Sequence, residues 1–318
     1  MSNGTGQHST LDVTIIGGGL HGSHTALLIA ADGHSVTIHE RDPTTPPTEA
    51  ADAWERWDRG GVGQFRMLQL FLARFRQELD EHLPDVVDAL EAAGALRYNP
   101  IVAAPESVRG RLRADDDRFD LLTGRRPVIE AAIQRVVAAH PNIVVRRGVA
   151  VVGIDLDETG AVPHVRGVVT DHGAFTGDLV IDCSGRRSQT PELLGAAGAI
   201  EVPEEIEDSG FVYYGRHFRS ADGSIPPMFG GALQHYDSLS TLTLPADHGT
   251  WGVGIIASSR DKAARAMRDA DVWARVWTSY PLVAHWADAE PITDVQVMAK
   301  LPDRRRHYVV DGEPVVTG

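Results

Sequence analysis

Cysteine is almost missing from this chain, with a single residue, Cys183, in 318. One cysteine cannot close an internal disulfide, which fits a reducing cytoplasm. Its place in the apolar run LVIDCSG makes inert packing its expected role. No run of about 18 apolar residues occurs, so no transmembrane helix is expected, and the polar opening MSNGTGQHST lacks the basic-then-apolar order of a signal peptide. Residues 1–10 read as a disordered tail. Positive charge is the scarcer sign: 30 Lys+Arg stand against 44 Asp+Glu, a formal net charge of −14. Such a balance repels phosphate backbones and anionic bilayers, so neither nucleic acid nor a membrane is expected as partner. No Ser-His-Asp or Cys-His arrangement has convincing spacing. His21 and His24 lie three apart on one helix, as a metal pair could, but have no further ligand nearby, and His217, His235 and His248 lack ligand-like spacing, so no metal site is expected.

What is present is an ordinary globular composition, 42% hydrophobic and 23% charged, long enough for two domains or one large composite. The stretch VTIIGGGLHGSHTALLIAADGHSVTIHERD carries the strongest signal. Leu11 to Ile16 reads as a buried parallel strand. Gly17, Gly19 and Gly22 then form GxGxxG, in which the first glycine allows a tight turn, the second lets backbone approach a pyrophosphate, and the third lets a helix press on the strand. Leu20 to Ala31 is the helix, Gly33 its terminator, and SVTIHE a second strand. Glu40 closes that strand near the spacing at which a carboxylate accepts hydrogen bonds from ribose hydroxyls, and it would repel a 2′-phosphate. These residues indicate dinucleotide binding and leave NAD and FAD open.

Beyond the grip, the proline-punctuated segment Arg41 to Gly61 reads as a loop crossing a site. Phe65, Leu68, Phe71, Leu72, Phe75 and Leu79 are spaced for one face of a helix. A second helix is expected at PDVVDALEAAG and a third from Pro127 to Ala139, after a turn with Arg125 and Arg126 that commonly faces water. The runs IVVRRGVAVVGIDLD, HVRGVVTDHG and GDLVIDCSG resemble an antiparallel meander returning to a parallel sheet. From about Glu201 the pattern becomes long antiparallel strands, a plausible floor for an apolar substrate pocket. A helix follows near Asp261 to Tyr280, on which Trp273 and Trp277 read as core. Arg304 to Arg306 read as a solvated turn.

With both glycine motifs, the meander and the late sheet in this order, the chain resembles the class A FAD-dependent monooxygenases of the p-hydroxybenzoate hydroxylase type. The resemblance runs across nearly all 318 residues and is carried by the glycine-rich stretch above and by RGGVGQFR, GRRPVIEAAI and GDLVIDCSGRRS. It implies an α/β fold: a Rossmann-like, three-layer FAD-binding domain of the glutathione-reductase type with an antiparallel-sheet substrate domain. The corresponding boundaries are 11–200 for the FAD-binding domain with its inserted helices and meander, 201–300 for the substrate domain, and 301–318 for the start of a return to the first. The resemblance also decides for FAD. It implies Gly17, Gly19 and Gly22 at the pyrophosphate, Glu40 on the ribose with Arg41 beside it, and Arg59, Val62 and Gln64 along the flavin ring. Arg126 is implied at the cofactor phosphates, and Asp182 and Gly185 at the end of the returning strand.

The implied activity is that of an oxidoreductase: NADPH or NADH reduces the flavin, dioxygen adds to its C4a carbon, and the hydroperoxide oxygenates an aromatic or polyketide-like small molecule. Two departures qualify it. Asp182-Cys183-Ser184-Gly185 stands where the family has an Asp-Gly pair. The family's later Gly-Asp motif, on a strand following RRHYVVDGEPVVTG, is absent, so a complementing C-terminal segment is one expectation. A split or shortened nucleotide-binding remnant without catalysis is the rival, and geranylgeranyl-reductase-like or halogenase-like flavoenzymes are further alternatives, although the halogenase Trp-x-Trp-x-Ile-Pro signature is missing.

Overall fold

The computed structural model describes residues 9–318, so the tail expected at residues 1–10 falls almost wholly outside the described residues. The chain forms two compact units. One comprises the residues up to Thr45, Ile133–Ile206 and Arg304–Gly318; the other comprises Pro46–Ala132 and Glu207–Asp303. The helix Arg126–Ala139 passes from the second to the first between Ala132 and Ile133.

The first unit is built on a four-stranded parallel sheet whose order is Leu179–Asp182, Asp12–Ile16, Ser35–Glu40, Ile143–Arg147. Ile15 pairs with Ile181 on one side and Ile38 on the other. Ile15 and Ile38 are completely buried, as β-branched side chains are in a sheet covered on both faces. The crossover helix Leu20–Ala31 buries Ala26, Leu27 and Ala30. Gly33, at φ +90°, ends it, its N–H donating to the Ala30 carbonyl at 3.0 Å; that left-handed conformation suits glycine. The strands Val151–Asp157, His164–Thr170 and Gly173–Thr176 form the expected antiparallel meander. Ile16, Ile154, Val168, Leu194 and Val315 close a core beside it.

The second unit centres on an antiparallel sheet. Leu233–His235, Leu239–Pro245, Thr250–Ser258 and Phe211–Arg219 pair in that order, and the last also pairs with Glu290–Pro291 and Gln296–Met298. Alternation sorts its side chains. Tyr214, Phe218, Trp251, Val253 and Ile255 meet Trp273, Trp277 and Trp286 on one face. The indole N–H groups of Trp251, Trp273 and Trp277 donate to the carbonyls of Trp286, Tyr214 and Val283 at 2.8, 3.0 and 3.0 Å, so this apolar mass carries no unsatisfied donor there. Trp273 and Trp277 are stacked core residues, 5.3 Å apart. The other face carries Gly215, His217, Gly252 and Gly254, with His217 opposite Gly252 and Gly215 opposite Gly254.

Three local expectations are corrected. The single helix expected from Phe65 is confined to Ala73–His82, because Leu70–Phe71 is drawn into a three-stranded sheet against Leu121–Thr123. Ile143–Arg147 joins the parallel sheet beside Ser35–Glu40 rather than the meander. Arg304 and Arg306 lie on the strand Pro302–Arg306, and both pair with Glu204, at 3.0 and 2.9 Å. Alternate strand residues share a face, so one carboxylate serves both and the solvated turn is not formed.

Three buried histidines sit in these cores. Burial, and then His21, pushes the His24 imidazole down to about 4. Burial, and then Arg146, lowers His39, whose ring packs on Phe175 at 4.7 Å with neither nitrogen hydrogen-bonded. Burial, then Arg125 and Arg66, pushes His217 down to about 3. Each folded value lies below the unfolded one, so below about pH 6.5 the unfolded chain takes up protons that the folded chain refuses. Stability therefore falls as pH drops, by up to about 1.4 kcal/mol per pH unit for each histidine. Urea midpoints at pH 5 are expected to lie below those at pH 7, with a shallower decline for His39→Leu; equal midpoints for the parent at both pH values would disprove the histidine account.

Candidate functional site

After Ile16 the backbone must turn at once, and Gly17 does so at φ +97°. A Cβ there would stand 2.9 Å from the Cys183 carbonyl oxygen, so both conformation and space require glycine. The Gly17 N–H donates to the His39 carbonyl at 2.8 Å. A Cβ on Gly22 would lie 1.9 Å from the Gly17 carbonyl oxygen, which is why helix and strand can touch. Gly19, the N-cap of the helix Leu20–Ala31, differs from both. It has an ordinary φ of −76°, and nothing lies within 4 Å of where its Cβ would be. Its bare backbone borders open space at a helix N-terminus with no acidic residue in the first turn, a site whose N–H groups and dipole favour an anion.

Glu40 is turned toward this loop and buried. Its Oε2 accepts the Gly18 N–H at 2.8 Å, and its Oε1 accepts the Asp42 N–H at 2.9 Å. A carboxylate accepts from hydroxyl as well as from amide donors. Arg41 is exposed at the strand end. A brace that the motif does not announce lies behind the loop: Gln134 Nε2 donates to the Gly18 carbonyl and to Ser23 Oγ, both at 2.7 Å, and Arg147 donates to Gln134 Oε1 at 2.6 Å. Gly18 is thus held from both its N–H and its carbonyl.

The returning strand ends next to Gly17. Asp182 Oδ1 accepts the Ser184 N–H at 2.9 Å and the Ser184 hydroxyl at 2.5 Å, and Oδ2 accepts the Ser188 hydroxyl. Burial raises the Asp182 carboxyl, but these hydrogen bonds outweigh it and hold the group below its ordinary value. Asp182 therefore shapes the turn. Gly185, at φ +84°, is exposed with nothing within 4 Å of its Cβ position. Burial, and then Asp182, raises the Cys183 thiol, consistent with packing and not with a nucleophile. A cavity of about 560 Å³ adjoins this strand, with Thr25, Asp182, Cys183, Arg306 and Tyr308 among its walls.

Four further candidates belong to the second unit. Arg59 and Arg126 are both buried and share one acid: Glu130 Oε2 accepts from Arg59 at 3.1 Å, and Glu130 Oε1 accepts from Arg126 Nε at 3.0 Å. Val62 packs beside Ala53, Trp57 and Phe65. Gln64 is half-buried, and its carbonyl accepts the Met67 N–H. The expectation that Arg125 and Arg126 face water is corrected: Arg125 is also buried, against fully buried Asp247, with which it makes several hydrogen bonds. Sequence reading missed Glu130 and Gln134, yet Arg126, Glu130 and Gln134 follow one another at i, i+4 on one helix, a spacing that puts them on one face. Arg147 and Asp247 carried no such signal.

This fold is that of the flavin-dependent monooxygenases and halogenases. Kynurenine 3-monooxygenase of Anopheles gambiae is 25% identical over 261 residues, which span 78% of this chain and 48% of the relative. The chain thus covers about half the length of that relative. Among solved structures, a flavin-dependent brominase superposes with a TM-score of 0.62 at 16% identity, covering 97% of this chain and 71% of the brominase. p-Nitrophenol 4-monooxygenase of Pseudomonas putida gives 0.53 at 15%, covering 98% and 73%. No family model matches the chain. The resemblance to class A flavoproteins, and the α/β fold it implies, hold in the structure.

The different surroundings of the glycines make a direct test. Gly22→Ala is expected to destabilise the chain by about 3 kcal/mol, through forced separation of helix and strand. Gly19→Ala is expected to stay within about 1 kcal/mol of the parent. Thermal denaturation of both variants decides, and a Gly22→Ala protein as stable as the parent would contradict the close approach.

Proposed function

We propose that this chain binds FAD and is an oxidoreductase of the flavin-dependent monooxygenase class, acting on an aromatic small molecule with NADPH or NADH as reductant. The observation that carries this reading is the unobstructed backbone at Gly19, at the head of a helix, with the Glu40 carboxylate fixed beside it through Gly18. The cradle suits a pyrophosphate and the carboxylate a ribose. Gly17 and Gly22 create the approach, Arg41 stands at the ribose end, and Asp182 and Gly185 border the loop from the returning strand. Arg59, Val62, Gln64 and Arg126 are assigned to the flavin ring and cofactor phosphates on the strength of the resemblance. The flavin would supply electron transfer from reduced nicotinamide and activation of dioxygen. The protein's own part is to hold the phosphates, orient the sugar and keep the reacting region dry.

A second reading is favoured by one feature. The strand Leu179–Asp182 is the outer strand of its parallel sheet, and the cavity of about 560 Å³ lies along it. An outer strand presents unpaired N–H and C=O groups, so a complementing segment that adds a strand there is the partner this unit would accept. The chain alone would then hold the nucleotide without completing chemistry.

The purified chain distinguishes the two readings. A flavin absorbance spectrum together with oxygen-dependent consumption of NADH or NADPH supports the oxygenase; retained flavin without turnover supports the second reading; a colourless protein that does not take up added FAD refutes both. Gly19→Val is expected to lower FAD affinity by on the order of a hundredfold with the thermal midpoint unchanged. Glu40→Ala is expected to lower it on the order of tenfold. Parent-like dissociation constants for both variants would remove the assignment of this site.

A further inference from the structure

Gly18 fills the variable position between Gly17 and Gly19, and a side chain is excluded there as well: its Cβ would stand 3.2 Å from both Cβ and Oε2 of Glu40. Three glycines in a row leave the peptide planes between them with little conformational preference of their own. The plane joining Gly18 to Gly19 matters most. A planar trans peptide points its C=O and its N–H in opposite directions, so whatever holds the Gly18 carbonyl also decides where the Gly19 N–H is aimed. Gln134 holds it. This buried side chain donates from Nε2 to the Gly18 carbonyl at 2.7 Å, and the Gly19 N–H is thereby turned away from Gln134, toward the outside of the loop.

Gln134 is itself held, and the bonds that hold it lead back to Gly18. Its Oε1 accepts from Arg147 Nη2 at 2.6 Å, and Arg147 Nη1 donates to the Thr44 carbonyl at 3.4 Å. Thr44 gives its N–H and its hydroxyl to Asp42 Oδ1, at 2.9 and 2.7 Å. Asp42 gives its N–H to Glu40 Oε1 at 2.9 Å, and Glu40 Oε2 accepts the Gly18 N–H at 2.8 Å. A closed ring results, leaving Gly18 by its carbonyl and returning by its N–H. Strand pairing explains the closure. Glu40 and Arg147 are direct partners at the ends of adjacent parallel strands, so the segments that follow emerge side by side, and a guanidinium fork can serve acceptors on both sides. Ser23 Oγ accepts from the same Gln134 nitrogen at 2.7 Å but lies off the closed path.

We infer that Gln134 and Arg147 are positioning residues of the nucleotide site: Gln134 aims the Gly19 N–H at the phosphates, and the ring joins that amide and the Glu40 carboxylate into one preset unit. The phosphate end and the ribose end of a nucleotide are then gripped together. The identity of the ligand rests on the FAD reading above; the ring does not. Without Gln134 the Gly18–Gly19 peptide is free to turn over and present a carbonyl to the phosphates, and the loss reaches Glu40 through the Gly18 N–H.

The test compares the purified full chain with its variants by equilibrium dialysis against FAD, ADP and 2′-deoxy-ADP, and by hydrogen exchange at the Gly18 amide without nucleotide. Gln134→Met keeps the length of the side chain and loses its hydrogen bonds, and it is expected to lower FAD affinity about tenfold. Arg147→Lys keeps the charge but not the fork, and a loss of about tenfold is expected again. A ring opened once is open, so the double variant should also lose about tenfold and not about a hundredfold. The parent is expected to prefer ADP to 2′-deoxy-ADP about fivefold, and both single variants should lose that preference, although neither residue is assigned to the sugar. Ser23→Ala removes a bond off the ring and should stay within about twofold of the parent in affinity and in preference. Exchange at the Gly18 amide, whose acceptor is Glu40, should quicken about tenfold in Gln134→Met. If that variant does not fold, Arg147→Lys carries the same measurements from the other side of the ring. Parent-like FAD affinity in the single variants, losses that multiply in the double variant, or an ADP preference kept while affinity falls would each overturn the inference, the last being what a purely structural role gives. A parent that binds none of the three nucleotides would refute the FAD reading; exchange at Gly18 needs no ligand, so its quickening would still sustain the ring, and its absence would sink it.

Discussion

The structure depends on one close approach of bare backbone. At the end of the strand Asp12–Ile16, the Gly17 turn leaves no room for a Cβ beside the Cys183 carbonyl, and the Gly22 backbone passes over the Gly17 carbonyl at a distance no side chain permits. The returning strand, the first strand and the crossover helix therefore meet at a point where none can contribute side chains. Such contact leaves polar groups to be satisfied. Gly17 N–H goes to His39, Gly18 N–H to Glu40, and Gly18 carbonyl to Gln134. Because the loop is satisfied on its protein side, its outer face at Gly19 can remain open without cost to folding.

Charge is handled locally in the same way. The chain is strongly acidic as a whole, yet Arg59, Arg125 and Arg126 are buried in the second unit with Glu130 and Asp247 as their partners. Removing either acid would strand a buried cation, a loss usually larger than the net worth of the pair. Those acids hold the arginines in place. The repulsion that the net charge predicts for polyanions acts at the surface and does not describe this interior.

Sequence order made the first unit legible because its signals are covalent neighbours. The glycine turn, the helix with its Gly33 terminator and the acid at the end of the second strand lie within thirty-odd residues, and each rule acts on adjacent positions. The Phe65–Leu79 stripe failed for the opposite reason. Its periodicity suits a helix, but Leu70–Phe71 is captured by the distant strand Leu121–Thr123, and tertiary pairing overrides local preference. Arg304 and Arg306 were misread because Glu204, their shared acid, lies about a hundred residues earlier. Glu130 and Gln134 sit between these cases: their helical spacing from Arg126 was visible, but not that they would turn inward.

Two groups of glycines in this chain serve different purposes. Those of the first unit shape a turn whose form the whole fold class needs, so they cannot separate one chemistry from another. The brominase and the nitrophenol monooxygenase share this fold at 16% and 15% identity, and an identical grip would serve either. Gly215, Gly252 and Gly254 impose no turn, since they sit in regular antiparallel pairing where larger residues would strengthen the strands. Packing keeps them: a Cβ on Gly252 would lie 2.5 Å from Leu68 Cγ, and one on Gly215 would lie 3.1 Å from Met67 Cε. What they provide is room on that face of the sheet for Leu68, Met67 and His217, which lie where larger residues would stand.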